Sequence, residues 1–142
     1  MKRLHRKSSA GFTLIEILLV IIIVIALMAV LLPNIQNALR DSKNGTAQIY
    51  VRSLANEISL YEATNGYPPT TQQGLAALVV RPSGEPIPRK WSQREDKIEL
   101  DPWAKEYLYD SPGKHNVNGF DVYSAGPDGK PGTDDDIGNW SN

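Results

Sequence analysis

The chain has 142 residues, 15 Lys and Arg against 16 Asp and Glu, two His and no Cys, a length that holds one domain with a modest core. The missing cysteine excludes a disulfide framework, a thiolate metal site and a cysteine nucleophile, and no Walker, Rossmann or G-x-S-x-G pattern supplies the usual enzyme machinery. Four basic residues (Lys2, Arg3, Arg6 and Lys7) precede residue 12, which leaves 11 basic against 16 acidic residues in the remainder and argues against nucleic acid as a partner, since phosphate neutralisation needs clustered cations.

Residues 12–32 are apolar except for Thr13 and Glu16. As a helix this run spans roughly 30 Å, the thickness of a bilayer core. A cleavable secretory signal has an apolar region of roughly 7–15 residues ending in a small-x-small site. This run is longer, and Pro33-Asn34-Ile35-Gln36-Asn37 offers no such site. The basic residues ahead of it predict a cytoplasmic N-terminus and an exported C-terminal part. The segment reads as a signal anchor in membrane lipid.

Pro33 loosens a helix without having to end it. Beyond it, Ala47, Val51, Leu54, Ile58 and Tyr61 step by four, three, four and three, which is one apolar stripe. Asn65-Gly66 and then Pro68-Pro69 supply a stop. The pattern predicts one long helix over about residues 12–64, with Gly45 its weak point. Residues 70–80 read as a loop and a short helix, and 81–102, rich in Pro and charge, as an irregular connection. Residues 107–109 and 120–123 predict short strands separated by a turn over 111–119. The last segment, 124–142, is rich in Gly and Asp.

Two places carry chemistry. Gly11-Phe12-Thr13-Leu14-Ile15-Glu16 sets a small residue where water meets lipid and a carboxylate about one helical turn further in. A carboxylate inside lipid costs on the order of 2.5–3.5 kcal/mol, less near the interface. Snorkelling to the headgroups explains why Glu16 is tolerated and leaves its presence unexplained. The second place is the acidic segment 127–136, where Gly126, Gly129 and Gly132 permit backbone bends. Asp128, Asp135 and Asp136 offer hard oxygen ligands of the kind Ca²⁺ takes. The spacing is not that of an EF-hand, and a solvated acidic loop stays open as the alternative. Trp103, Tyr107, Tyr109, Tyr123 and Trp140 read as core and rim packing, and His115 as exposed in its turn.

The segment from Gly11 to Glu16 resembles the class III signal of type IV pilins and pseudopilins. The resemblance implies that a prepilin peptidase cuts between Gly11 and Phe12 and methylates the new amine of Phe12, with Glu16 as the fifth mature residue, used in assembly. Further on, Tyr67-Pro68-Pro69-Thr70-Thr71-Gln72-Gln73-Gly74-Leu75, Asp101-Pro102-Trp103, Asp121-Val122-Tyr123-Ser124-Ala125-Gly126-Pro127-Asp128-Gly129 and Asp135-Asp136-Ile137-Gly138-Asn139-Trp140 are similar to the major pseudopilins of type II secretion, the protein G family. The chain departs from that pattern at Ala104-Lys105, where the family usually carries Gly-Asn, and over residues 91–99.

By this resemblance Ca²⁺ is held by the side chains of Asp128, Asp135 and Asp136 with backbone oxygens of Ala125, Lys130 and Thr133, and Asp134 is a spare exposed acid. The fold expected is α+β: a long N-terminal helix, half transmembrane, packed on a small antiparallel sheet with a C-terminal calcium loop. Residues 1–11 are the leader, 12–33 the membrane and assembly part of the helix, and 34–142 a periplasmic domain. The function implied is structural and not enzymatic. Subunits polymerise with themselves in the inner membrane, alongside other pseudopilins and the inner-membrane secretion platform, and drive folded proteins across the outer membrane. The rivals are a type IV pilin for adhesion or motility, a tethered calcium-dependent hydrolase and a signal-anchored binding module. The missing disulfide and the Asp-rich loop disfavour the first, and the missing catalytic pair disfavours the second.

Overall fold

The computed structural model describes residues 11–140. The basic cluster at residues 2–7 lies outside them, as does all of the expected leader but Gly11. Helix α1 runs over Leu14–Asn65, 52 residues with Pro33 and Gly45 inside it. It starts two residues later than the apolar pattern because Thr13 caps it. The Thr13 carbonyl accepts from the Glu16 and Ile17 N–H groups, and its hydroxyl accepts from Glu16 N–H at 3.3 Å. Two donors that the first turn leaves orphaned are thereby satisfied. The helix stops where Gly66 turns left-handed, at φ +85°, with its N–H on the Glu62 carbonyl at 2.7 Å.

The chain forms two compact units that part between Arg40 and Asp41. In the first, every described residue is exposed. Its apolar helix is long enough to cross a membrane and buries none of that surface on the protein itself.

The second unit holds the core. Ala47, Val51, Leu54, Ile58 and Tyr61 are the buried residues of α1, the stripe that helical spacing predicts. Val51, Leu54 and Ile58 pack with Leu75, Leu78, Tyr107, Tyr109, Phe120 and Val122. Each aliphatic side chain fully withdrawn from water stabilises by about 1.5–3 kcal/mol. Leu78 belongs to the one-turn helix α2, Ala76–Val79. The sheet has three antiparallel strands in the order β1 (Leu108–Asp110), β2 (Asp121–Ser124) and β3 (Ile137–Gly138). Tyr109 faces Val122 across one ladder, and Tyr123 faces Gly138 across the other.

Both expected strands are present, displaced by one residue toward the C-terminus, with Tyr107 and Phe120 in the core just ahead of them. β3 has no counterpart in the sequence reading. Residues 81–102 contain neither helix nor strand, as expected, yet they are firmly tied. The Trp91 indole donates to the Ala77 carbonyl at 2.8 Å, and the Arg94 and Glu95 N–H groups share the Leu78 carbonyl. Arg94 also pairs with Glu57 at 3.5 Å, and Glu99 N–H reaches the Tyr50 hydroxyl at 3.0 Å. This segment, whose residues 91–99 depart from the family pattern, is a strap over α2 and α1.

Candidate functional site

At the N-terminal end, Gly11, Phe12 and Thr13 precede the helix and are exposed. Glu16 lies in the first turn, where a carboxylate is favoured by the helix dipole. Its backbone N–H is taken by the Thr13 cap. Its carboxylate is exposed and makes no hydrogen bond or ion pair among the described residues. The cap was not singled out from the sequence, although Thr-x-x-Glu ahead of an apolar run is a capping pattern. Thr13 thus explains how the helix starts without the Glu16 carboxylate.

The acidic segment leaves β2 through Ala125, which is buried, and Gly126, at φ +62°. A Cβ at Gly126 would lie 2.2 Å from the Asp135 carbonyl oxygen, so only glycine lets the loop close on itself here. The loop is knitted by its own acids. Asp128 N–H donates to Asp135 Oδ2 at 3.1 Å, Lys130 N–H to Asp128 Oδ1 at 2.8 Å, and Gly132 N–H to Asp136 Oδ2 at 2.7 Å. Thr133 Oγ1 sits against Asp128 Oδ1, Asp135 Oδ1 and the Lys130 carbonyl, and the Thr133 carbonyl takes the Asp136 N–H at 3.2 Å.

One hydroxyl proton cannot serve three acceptors. Four oxygens therefore converge at Thr133, and Asp136 Oδ1 is buried with no hydrogen-bond partner among the described residues. An all-oxygen donor set of this kind fits a hard cation such as Ca²⁺. The structure brings Asp128 and Asp135 together through Thr133. Among the described residues no three acidic or histidine side chains form a metal-holding group. A cation here would depend on backbone carbonyls for much of its shell.

Sequence reasoning passed over the polar hubs behind this loop. Asp101, 4% exposed, accepts from the Trp103 and Lys105 N–H groups at 3.0 and 2.8 Å and from the Ser124 hydroxyl. Ser124 Oγ in turn accepts from Gly126 N–H at 3.1 Å. The Asp-Pro-Trp turn thus braces the loop entrance through a buried, satisfied network. Asp121 gathers the 111–119 turn in the same way, accepting from the His115 and Asn116 N–H groups. Asn139 then extends the β3 edge with its side chain: Oδ1 accepts from Val122 N–H at 3.0 Å and Nδ2 donates to the Phe120 carbonyl at 3.1 Å. Trp140 stacks on His115 with ring centroids 3.8 Å apart, so His115 is exposed as expected and also serves as packing. Tyr107, Tyr109 and Tyr123 are buried as read; Trp103 and Trp140 are half-buried.

A long apolar helix whose later turns pack on a small antiparallel sheet, ended by a glycine-bent acidic loop, defines a pseudopilin. Residues 34–140 match the family described as type II secretion system protein G. The type II secretion system core protein G of Dickeya chrysanthemi is 41% identical over 137 residues, 95% of this chain and 88% of that protein. That of Pseudomonas aeruginosa is 39% identical over 144 residues, 98% of this chain and 100% of the other. The crystal structure of the major pseudopilin from the type 2 secretion system of enterohaemorrhagic Escherichia coli matches with a TM-score of 0.68 at 34% identity, covering 75% of this chain and 91% of that one. The chain belongs to the type II secretion protein G family, whose members are structural pseudopilins.

Proposed function

We propose that this chain is made as an inner-membrane precursor, cut by prepilin peptidase between Gly11 and Phe12, methylated at Phe12, and polymerised with its own kind into a periplasmic pseudopilus that pushes folded proteins outward. Membership of the protein G family supports the structural role and assembly with other pseudopilins. The observation that carries the rest is the exposed Glu16 carboxylate at the head of an unburied apolar helix. In lipid an unpaired charge is costly, and a pair of opposite charges is worth far more than in water. The Phe12 amine released by cleavage is such a partner when supplied by a neighbouring subunit. Their pairing sets the axial register as a subunit leaves the membrane, where it meets the other pseudopilins and the secretion platform. The basic residues at 2–7 keep the leader cytoplasmic and send the 34–142 domain to the periplasm.

The acidic loop belongs to the same reading. Asp128, Asp135 and Asp136, with the carbonyls of Ala125, Lys130 and Thr133, would hold Ca²⁺. Bound there, the ion would supply positive charge to oxygens that converge at Thr133. It braces the tail of a domain with no disulfide.

Processing and assembly test the proposal separately. Gly11→Leu blocks the cut, because a bulky side chain does not fit a scissile site at the membrane edge, and mass spectrometry then finds the precursor at full mass. Glu16→Ala is cut normally and yields no sheared filament. A shortened Gly11→Leu product, or filaments of normal abundance from Glu16→Ala, would contradict the corresponding step.

A further inference from the structure

Helical geometry collects on one side of α1 residues that the buried stripe leaves out. Gln48, Arg52, Asn56 and Ser59 follow one another by four, four and three. With Asn139 and Trp140 they wall a groove of about 560 Å³ in which Arg52 is the one charged lining residue among the described residues. Part of the groove's polar lining is spent on the fold. The Gln48 amide donates to the Gly138 carbonyl at 3.3 Å, and the Asn139 side chain is clamped on β2. Trp140 is held by its stack on His115. Arg52 is exposed and makes no hydrogen bond or ion pair among the described residues. The result is a groove with aromatic residues in its wall and one guanidinium fork unpaired among the described residues, which is matched by a carboxylate.

The same unit carries a carboxylate of complementary character. Residues 128–136 hold four Asp against one Lys. Three of these acids use their oxygens inside the loop, whereas Asp134 is exposed and makes no hydrogen bond or ion pair among the described residues. Groove and loop are different surfaces of one chain. A contact between them is therefore heterologous and does not close on itself, which is the geometry of a filament and not of a dimer.

We propose that the Arg52 groove receives the acidic loop of a second copy of this chain, with Asp134 as the paired carboxylate, so that each subunit hands its loop to the next. The inference rests on the filament reading above and assigns it one side-chain contact. Its test uses the full-length chain, expressed with its secretion system, and filaments sheared from cells. Arg52→Glu and Asp134→Arg each lower filament yield about tenfold or more, since like charges then meet at every repeat, and the double reversal restores most of it. Because the chain has no cysteine, Arg52→Cys combined with Asp134→Cys, treated with a bis-maleimide that spans an Arg–Asp pair, gives a ladder of linked subunits in intact filaments, and neither single variant does. Unchanged yield in both reversals, no recovery in the double reversal, or paired-cysteine filaments without linked subunits overturns this contact and leaves the filament standing. A wild-type chain that forms no filament overturns both.

Discussion

Ala104 stands at φ 60°, the one non-glycine positive φ among the described residues. It lies between Trp103 and Lys105, whose N–H groups both fall on the Asp101 carboxylate, so the turn cannot relax without breaking a buried network. An L-residue in this region costs roughly 1–2 kcal/mol. Replacing it with glycine relieves the strain and adds a smaller entropic cost in the unfolded chain. Ala104→Gly is therefore expected to stabilise the domain by about 1 kcal/mol, which raises its melting temperature by about 4–8 °C, and Ala104→Val to lower it. Thermal melts of a soluble fragment beginning near residue 36 decide this. That the chain departs here from the usual Gly-Asn was visible in the sequence. Why glycine belongs there was not, because the left-handed turn is imposed by Asp101 and by Ser124, 23 residues further on.

At the scale of elements, legibility followed periodicity. The α1 stripe repeats over four helical turns and could be read position by position. Leu54→Ala is expected to cost about 2–5 kcal/mol, and Asn56→Ala, two residues on but off the stripe, no more than about 0.5 kcal/mol. Urea melts of the same fragment separate them. β3 has only two residues, in a stretch rich in Gly and Asp. Its partners Tyr123 and Ser124 hold it, so no local signal announces it. The acidic loop lies between these cases: its composition points to hard oxygen ligands, while Thr133 joins Asp128 and Asp135 by a loop closure that composition does not reveal. If Ca²⁺ binds the folded loop alone, stability rises with free calcium as RT ln(1 + [L]/Kd). Chelation then lowers the melting temperature. Asp135→Ala and Asp136→Ala each reproduce that loss, and Asp134→Ala does not. Identical melts in Ca²⁺, Mg²⁺ and chelator would leave an ordinary solvated loop.

For the domain as a whole, without its anchor, about 100 residues leave a thin core, and three tyrosines carry a large share of it. Burial pushes Tyr107, Tyr109 and Tyr123 each from 10 up to about 12, helped by the Asp101 carboxylate at Tyr107 and by Asp110 at Tyr123. The folded state holds these phenol protons more tightly than the unfolded chain does. Their contribution is whole below about pH 10 and is lost as the pH rises through 12. Stability is thus expected to fall across that window, and tyrosinate absorbance to rise later in the folded protein than after denaturation. Tyr109→Phe removes one of these late titrations, together with the hydroxyl bond to the Pro69 carbonyl at 2.7 Å. Sequence alone placed these aromatics in the core, while the carboxylates beside them come from segments the chain order keeps apart.

Trp140 follows the acidic loop by four residues and lies nearly parallel to the His115 ring, 18° between planes. A stacked imidazole quenches indole fluorescence. If the loop, on opening, carries β3 and Trp140 with it, the indole brightens as it leaves the imidazole. With Trp91 and Trp103 replaced by Phe, the chain becomes a single-tryptophan protein whose emission is a built-in optical gauge of loop closure, readable in assembled filaments without a dye.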